Sequence, residues 1–423
     1  MEIRAQFRQW VRPIHEQFTR RISEEVERVE GDLPPADEED SVHFADLLFQ
    51  DALRAGATDI HFDPIADGIR VRFRIDGVLF DTMALDGEKG WAFMRHIKAT
   101  CGQDPVPSSR PTSTGRQIIV NGQTLDIRAS NAPCVFGEKL AIRILNMQQQ
   151  IQRIGRLGMD ADAEAQIQDW AENVTGTFVV CGPTGSGKTT TLYTLLHELR
   201  QTNRSVITIE DPVEYRIDGV TQLQVSERQN LSFPEGLRAS LRLDPDYLML
   251  GEIRDPETAR VAMSAAGTGR VLMTTLHSKD AVGVLTALRN WGIDNFQMAS
   301  ALRVIVAQRL VRRLCESCRE VSDGPTNAER DWLSAIGKEV PETLWRPVGC
   351  EKCNGLGYSG RTGIFEVWRV GPQDADNILE QKSDQWMRRQ LAEGGHRFML
   401  DDALAKVARG ITDLRQVRQL TAS

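Results

Sequence analysis

The chain has 423 residues, 41% of them hydrophobic, and a formal net charge of -8 at pH 7. A chain this long and this apolar can bury two or three separate cores, which excludes wholesale disorder. The acidic balance argues against non-specific nucleic-acid binding as the main task, because neutralising phosphates requires a basic surface.

Residues 1–41 read as an amphipathic helix followed by an acidic linker. Ile3, Phe7, Trp10, Val11, Ile14, Phe18, Ile22 and Val26 recur at spacings of three and four, one stripe of a helix. That stripe suits a helix packed on its own protein or on a neighbouring subunit, with docking to a membrane surface or a partner as the alternative. The acidic run over 24–40 contains Pro34-Pro35 and reads as a solvated, semi-rigid connection. The first ten residues lack the apolar core of a signal peptide, and no stretch approaches the roughly 18 apolar residues of a membrane-spanning helix. The expectation is a soluble, cytoplasmic protein.

Residues 42–147 are expected to form a small α+β domain. It opens with a helix over 44–55 that stops at Gly56. Ile69, Val71, Phe73 and Ile75 then alternate with Arg70, Arg72, Arg74 and Asp76, the period of a strand with one buried face, and Asp76-Gly77 signals a hairpin turn. Further alternating runs cover 125–129 and 139–145. A polar segment, 148–158, reads as the linker into a larger domain, 159–423. There, apolar runs at 177–181, 206–209, 247–250 and 271–275 are separated by helical patterns. They imply a parallel sheet covered on both faces, with ligands at the strands' carboxyl ends. Beyond Gly363 the pattern reads as helical, with 369–423 as a helical C-terminal part.

Between the first of these apolar runs and a helix lies Gly182-Pro183-Thr184-Gly185-Ser186-Gly187-Lys188-Thr189, followed by Thr190. Glycines let backbone N–H groups wrap phosphate oxygens, a lysine reaches the β and γ phosphates, and a hydroxyl holds Mg²⁺. The segment is therefore read as a P-loop for ATP and Mg²⁺. Three other strand ends carry polar groups that suit the γ-phosphate: Glu210, Asp211 and Glu214; Glu252; and His277. Carboxylates so placed can bind Mg²⁺ through water and orient or deprotonate the attacking water.

Four of the 7 cysteines form two C-x-x-C knuckles, Cys315 with Cys318 and Cys350 with Cys353, separated by the 31 residues 319 to 349. Each knuckle can offer two thiolates on one turn, and together they complete a closed tetrahedral Zn²⁺ site.

Taken together, these blocks resemble the bacterial type II secretion and type IV pilus ATPase superfamily, from about Asp46 to the C-terminus. Residues 182–190 look like its Walker A motif, 210–214 its acidic box, 241–255 its Walker B region and 274–277 its histidine box. Thr58-Asp59-Ile60-His61 and Arg74-Ile75-Asp76-Gly77 resemble blocks of its second N-terminal domain. The resemblance implies a RecA-like domain joined to a smaller PAS-like domain, assembled as a homo-hexameric ring with ATP between the two. It implies that Arg116 and Arg128, with Arg238 as a further candidate, approach the γ-phosphate. Glu214 is assigned the base and Glu252 the Mg²⁺-linked acid, roles that remain interchangeable. It also implies partners at the cytoplasmic face of the inner membrane and no direct nucleic-acid contact. A tetracysteine element (309–362) matches members that assemble filaments rather than retract them. Departures are Gly269-Arg270 before the histidine box, Pro111-Thr112-Ser113-Thr114 before Gly115-Arg116, and about 40 residues in place of a long N-terminal domain. The reading is an ATP-hydrolysing motor that powers assembly of a type IV pilus or a secretion pseudopilus. The alternatives are a DNA-uptake or conjugation motor, or a nucleotide-gated ring subunit with little hydrolysis.

Overall fold

The computed structural model describes residues 38–145, 154–172, 176–200, 204–267 and 269–421. The apolar stripe of the first 26 residues, the Pro34-Pro35 linker and the linker as far as residue 153 lie outside them. The chain divides into two compact units. Among the described residues, one gathers 38–145 with Cys315–Arg319 and Pro347–Gly360, and the other holds those of 154–314, Glu320–Arg346 and 361–421. The boundaries read from the sequence assign all of 309–362 to the larger domain. Of that range, the segments that carry the knuckles, Cys315–Arg319 and Pro347–Gly360, group instead with the first unit, and 309–314, Glu320–Arg346 and 361–362 with the second.

In the first unit a helix, Glu38–Arg54, ends just before Gly56, whose φ of 68° takes the chain out of the helix. Six strands follow among the described residues: β1 Ala57–Ile65, β2 Gly68–Ile75, β3 Val78–Asp86, β4 Thr112–Val120, β5 Gln123–Cys134 and β6 Gly137–Leu145, with a second helix, Gly87–Thr100, after β3. Every pairing is antiparallel, in the order β3-β2-β1-β6-β5-β4. The alternation fixes the two faces. Ile60, Phe62, Ile69, Val71, Ile127 and Ile142 are buried in a core shared with Leu48, Phe49 and Ile97 of the helices. Residues one step out of register are charged. Asp59 lies 3.0 Å from Arg143 and 3.8 Å from Arg74, and Asp63 lies 2.6 Å from Arg72 and bonds Lys139.

The second unit holds β7 Gly176–Cys181, β8 Val206–Glu210, β9 Thr221–Gln224, β10 Tyr247–Leu250, β11 Val271–Leu276, β12 Leu302–Leu314, the short ribbon β13 Glu320–Val321 and β14 Trp345–Arg346, and β15 Tyr358–Arg369 from Arg361 onward. The main sheet runs β15-β12-β7-β11-β10-β8-β9. From β12 to β9 the neighbours are parallel. Successive residues feed two cores, Val179, Cys181, Ile209 and Leu250 on one face, and Phe178, Val180, Met249 and Met273 on the other. This is why the strands read as unbroken apolar runs.

The four expected runs all lie on strands, but the sheet is wider than they suggest. β9, β12 and β15 join it as well, and β15 corrects the helical reading after Gly363. Ile364, Phe365, Val367 and Trp368 are buried, as is Glu366 between them. A short run buried on both faces has no period that separates strand from helix. Helices Pro372–Leu379, Asp384–Glu393, Met399–Ala408 and Leu414–Thr421 complete the C-terminal part. No helix among the described residues is long and apolar enough to cross a membrane.

Candidate nucleotide site and cysteine cluster

The loop from Gly182 to Gly187 joins β7 to the helix Lys188–Leu199. Its backbone explains two of the glycines. At Gly182, with φ of 154°, a Cβ would stand 2.5 Å from the Gln308 carbonyl, so β12 passes too close for any side chain. Gly187 caps the helix at φ 88°, a left-handed turn that aims successive N–H groups into the loop's concavity. The helix N-terminus adds its positive dipole at the same place, the arrangement that receives phosphate.

Lys188 Nζ donates to the carbonyls of Gly182 and Pro183 at 2.9 and 3.0 Å. Burial pulls its ammonium pKa below the ordinary lysine value, with the Glu252 charge acting in the opposite direction. The lysine is thus a partly desolvated point charge held over the loop. Thr189, next in the helix, lines a cleft with Glu210, Asp211, Glu214, Gly251 and Glu252.

Register brings these residues together. Cys181 pairs with Leu276, Thr274 with Leu250, and Leu250 with Ile209, so β7 and β11 end level with each other, two residues beyond the end of β10. The residues that follow, Gly182, His277, Gly251-Glu252 and Glu210, therefore emerge along one carboxyl edge. Cross-links hold that edge: Gly251 N donates to the Ile209 carbonyl at 2.8 Å, Ile253 N to that of Thr275 at 3.0 Å, and Thr275 Oγ1 to that of Gly251 at 2.8 Å. His277 Nε2 stands 3.7 Å from Glu252 Oε2.

The acidic residues do not share one environment. Glu210 is 3% exposed; its carboxylate accepts from Tyr193, from Thr208 Oγ1 at 2.5 Å and from Gln222 Nε2 at 3.1 Å. Burial pushes its pKa up, and these hydrogen bonds pull it back. Glu210 is thus an internal anchor, whereas Glu214 and Glu252 are half-buried in the cleft.

Several groups were given no role in the motif reading. Arg254 bonds Glu252 and reaches Asp211 Oδ2 at 3.4 Å, tying the ends of β10 and β8 together. Gln308, 1% exposed, donates to the Ser186 carbonyl at 2.7 Å and accepts from Thr191 Oγ1 at 2.8 Å, bracing loop and helix from β12. Its signal was a lone amide in the apolar run Val304-Ile305-Val306-Ala307, where a buried polar group must find partners. Arg309 donates to the Lys279 carbonyl at 2.8 Å, and its guanidinium lies against Gly182.

The three expected arginines lie on different elements. Arg238, on the helix Phe233–Ser240, pairs with Glu257 at 2.7 Å. Across the β4–β5 ladder Gly115 faces Arg128, and Arg116 faces Ile127. Facing residues share a side of the sheet, so Arg116 and Arg128 leave opposite faces. Arg116 lies on the helix-covered side, where its guanidinium donates to the Ala99 carbonyl at 3.3 Å, and Arg128 on the charged side, 3.5 Å from Ser113 Oγ.

The cysteines do converge. All four Sγ atoms lie within 4.8 Å of one another, with Cys315–Cys350 at 3.9 Å, Cys318–Cys353 at 3.7 Å and Cys350–Cys353 at 3.8 Å. Tetrahedral Zn–S bonds of about 2.3 Å put sulfurs about 3.8 Å apart, so the donor set fits a metal of that size. Backbone N–H groups of Gly349, Cys350 and Gly357 point at Cys318 and Cys353 sulfurs at 3.2 to 3.3 Å, the bonds that support thiolates in a knuckle. The Cys353 backbone holds the Cys350 thiol down at about 7, while burial pushes Cys318 up to about 12. A bound cation removes that conflict by favouring four thiolates at once.

Sequence and structure comparisons point the same way. The sequence model of a type II/IV secretion system protein matches residues 36–419. The type II secretion system ATPase E of Vibrio cholerae is 36% identical over 400 residues, covering 95% of this chain and 79% of that protein. The type IV pilus assembly ATPase PilB of Pseudomonas aeruginosa is 36% identical over 394 residues, covering 91% and 68%. Among solved structures, the Legionella pneumophila ATPase DotB matches with a TM-score of 0.67 at 20% identity, over 90% of this chain and 95% of that one. The pilus retraction motor PilT with bound ADP matches at 0.61 and 22% identity, over 89% and 96%. At such identities the two structures establish the fold.

Proposed function

This chain belongs to the type II/IV secretion system protein family, and on that footing we propose that it is an ATP-hydrolysing motor subunit that powers assembly of a type IV pilus or a secretion pseudopilus. The observation that carries the reading is the convergence of the phosphate loop, Glu214, Glu252 and His277 on one edge of a parallel sheet. Lys188 and the loop N–H groups bind the β and γ phosphates. Thr189 holds the Mg²⁺ that accompanies ATP, whose charge offsets that of the phosphates. Glu214 takes the proton of the attacking water, and Glu252, tied to Arg254 and His277, orients the metal's water shell.

The working unit is a homo-hexamer at the cytoplasmic face of the inner membrane, docked on the membrane platform of its secretion or pilus system, with no direct nucleic-acid contact. Arg128 of the smaller domain supplies positive charge to the phosphates as the ring closes. The four cysteines hold Zn²⁺ as a closed structural site, which favours filament assembly over retraction. Purified protein should turn over Mg²⁺-ATP, and Lys188→Ala should reduce that turnover by about 10²-fold or more. Unchanged turnover in Lys188→Ala overturns the assignment. In a bacterium carrying only the Lys188→Ala form, surface pili or an exported protein should be lost.

A further inference from the structure

We infer that Tyr193 is a positioning residue for hydrolysis, its hydroxyl pinning the segment that carries Glu214 to the helix that follows the phosphate loop. The inference rests on the reading of Glu214 as the base.

Tyr193 follows Thr189 by four residues in one helix, so the two side chains share a face one turn apart. Both line the cleft, and Tyr193 is 1% exposed. The phenolic hydroxyl donates to Glu210 Oε2 and accepts from the backbone N–H of Glu214 at 3.3 Å and of Tyr215 at 3.4 Å. A hydroxyl has one donor and two acceptor sites, and all three are used. Burial and the neighbouring Glu210 push the phenol's pKa up, so it remains a donor at any working pH.

The far side of the segment is held too. Gln222 donates to Glu210 and to the Tyr215 carbonyl at 2.9 Å, and accepts from Ile217 N at 2.8 Å. The backbone is thus held at Glu214 and Tyr215 by the buried Tyr193 and at Tyr215 and Ile217 by the half-buried Gln222, with both side chains also bonded to Glu210. Packing alone would require only the ring of Tyr193. The hydroxyl instead bonds Glu210, the backbone of Glu214 itself, and that of the residue after it. A reacting group displaced by about 1 Å loses on the order of 10² in rate, so loosening this pin acts on the chemical step.

The test is Tyr193→Phe in the full chain, which keeps the ring and deletes the hydroxyl. The expected result is a kcat lower by about 10- to 100-fold with KM for ATP within about threefold, because the phosphate loop is untouched. In a Glu214→Gln background, adding Tyr193→Phe should cost less than about twofold more, the signature of two residues acting as one unit. A wild-type kcat in Tyr193→Phe beside an inactive Glu214→Gln overturns the inference and leaves the base reading standing. An equal further loss in the Glu214→Gln background overturns it as well. Wild-type turnover in Glu214→Gln overturns the base reading, and this inference with it. Gln222→Met, which frees the other clamp, carries the same kcat-without-KM prediction should Tyr193→Phe fail to fold.

Discussion

In the larger unit β7, β11, β10 and β8 run parallel and end within two residues of one another, so residues that follow four distant strands meet on one edge. In the smaller unit β4 and β5 run antiparallel, and the side chains of Arg116 and Arg128, on neighbouring rungs, part to opposite faces. A parallel sheet thus gathers chemistry at its carboxyl edge, because every strand points the same way and the loops are free to carry polar groups. An antiparallel sheet sorts chemistry by face, because the side-chain period is two. In the first unit the face without helices is therefore a lattice of ion pairs around Asp59 and Asp63.

The cysteine cluster is where the contrast is expected to break most visibly, since its ligands come from neither sheet edge nor sheet face but from two turns. Freshly purified protein should contain about one zinc per chain, and Cys353→Ser should lose it, exposing the knuckles to proteolysis. Metal content by mass spectrometry checks this, and a metal-free protein of unchanged melting temperature would falsify the site. Next in size, Glu252→Gln should lower kcat by about 10²-fold while Glu210→Gln leaves nucleotide affinity within a few-fold, because one carboxylate faces the cleft and the other is an internal anchor. Parallel ATP-binding and turnover measurements would reveal the opposite order.

The arginines sharpen the comparison further. Because they leave opposite faces, Arg128→Ala and Arg116→Ala should differ by about tenfold in kcat, with Arg128 the larger effect. Equal losses would mean that face does not decide their role. The smallest effect concerns the segment between the knuckles. Glu329 caps the helix Asn327–Ala335 through Thr326 and bonds Arg346 at 2.6 and 2.7 Å. Burial would raise its pKa, but the Arg346 and Thr326 bonds prevail and hold it below the usual carboxylate value. Its contribution is therefore present above pH 4.5 and lost as pH falls through the lowered value. Glu329→Gln should cost about 1–2 kcal/mol at pH 7, and the difference should shrink on acidification below the carboxylate range. Thermal melts of both forms at pH 7 and pH 3.5 measure it.

What was legible in advance depended on whether a constraint is local. The eight residues from Gly182 to Thr189 must bind phosphate by their own backbone, so their sequence alone announces them. The C-x-x-C spacing likewise announces thiolates. Alternation along 69–76 and the apolar runs at 177–181 and 247–250 revealed their strands, because one or both faces are buried. β12 and β15 escaped because polar residues interrupt their apolar runs, Arg303, Gln308, Arg309 and Arg312 along β12 and Glu366 in β15, leaving neither an unbroken run nor a period of two.

By itself, then, the sequence determined the phosphate loop, the four thiols, the acidic strand ends and the α/β class, each a matter of residue type at short spacing. Only the tertiary structure decided which cleft carboxylate stays half-exposed and which is a buried anchor, that Gln308 and Tyr193 bond the loop and the acidic segment, and that Arg116 and Arg128 part company. Those outcomes depend on strand register and on partners tens to more than a hundred residues away, such as Gln308 beside Ser186. No local pattern of residue types encodes which distant backbone will come within hydrogen-bonding reach.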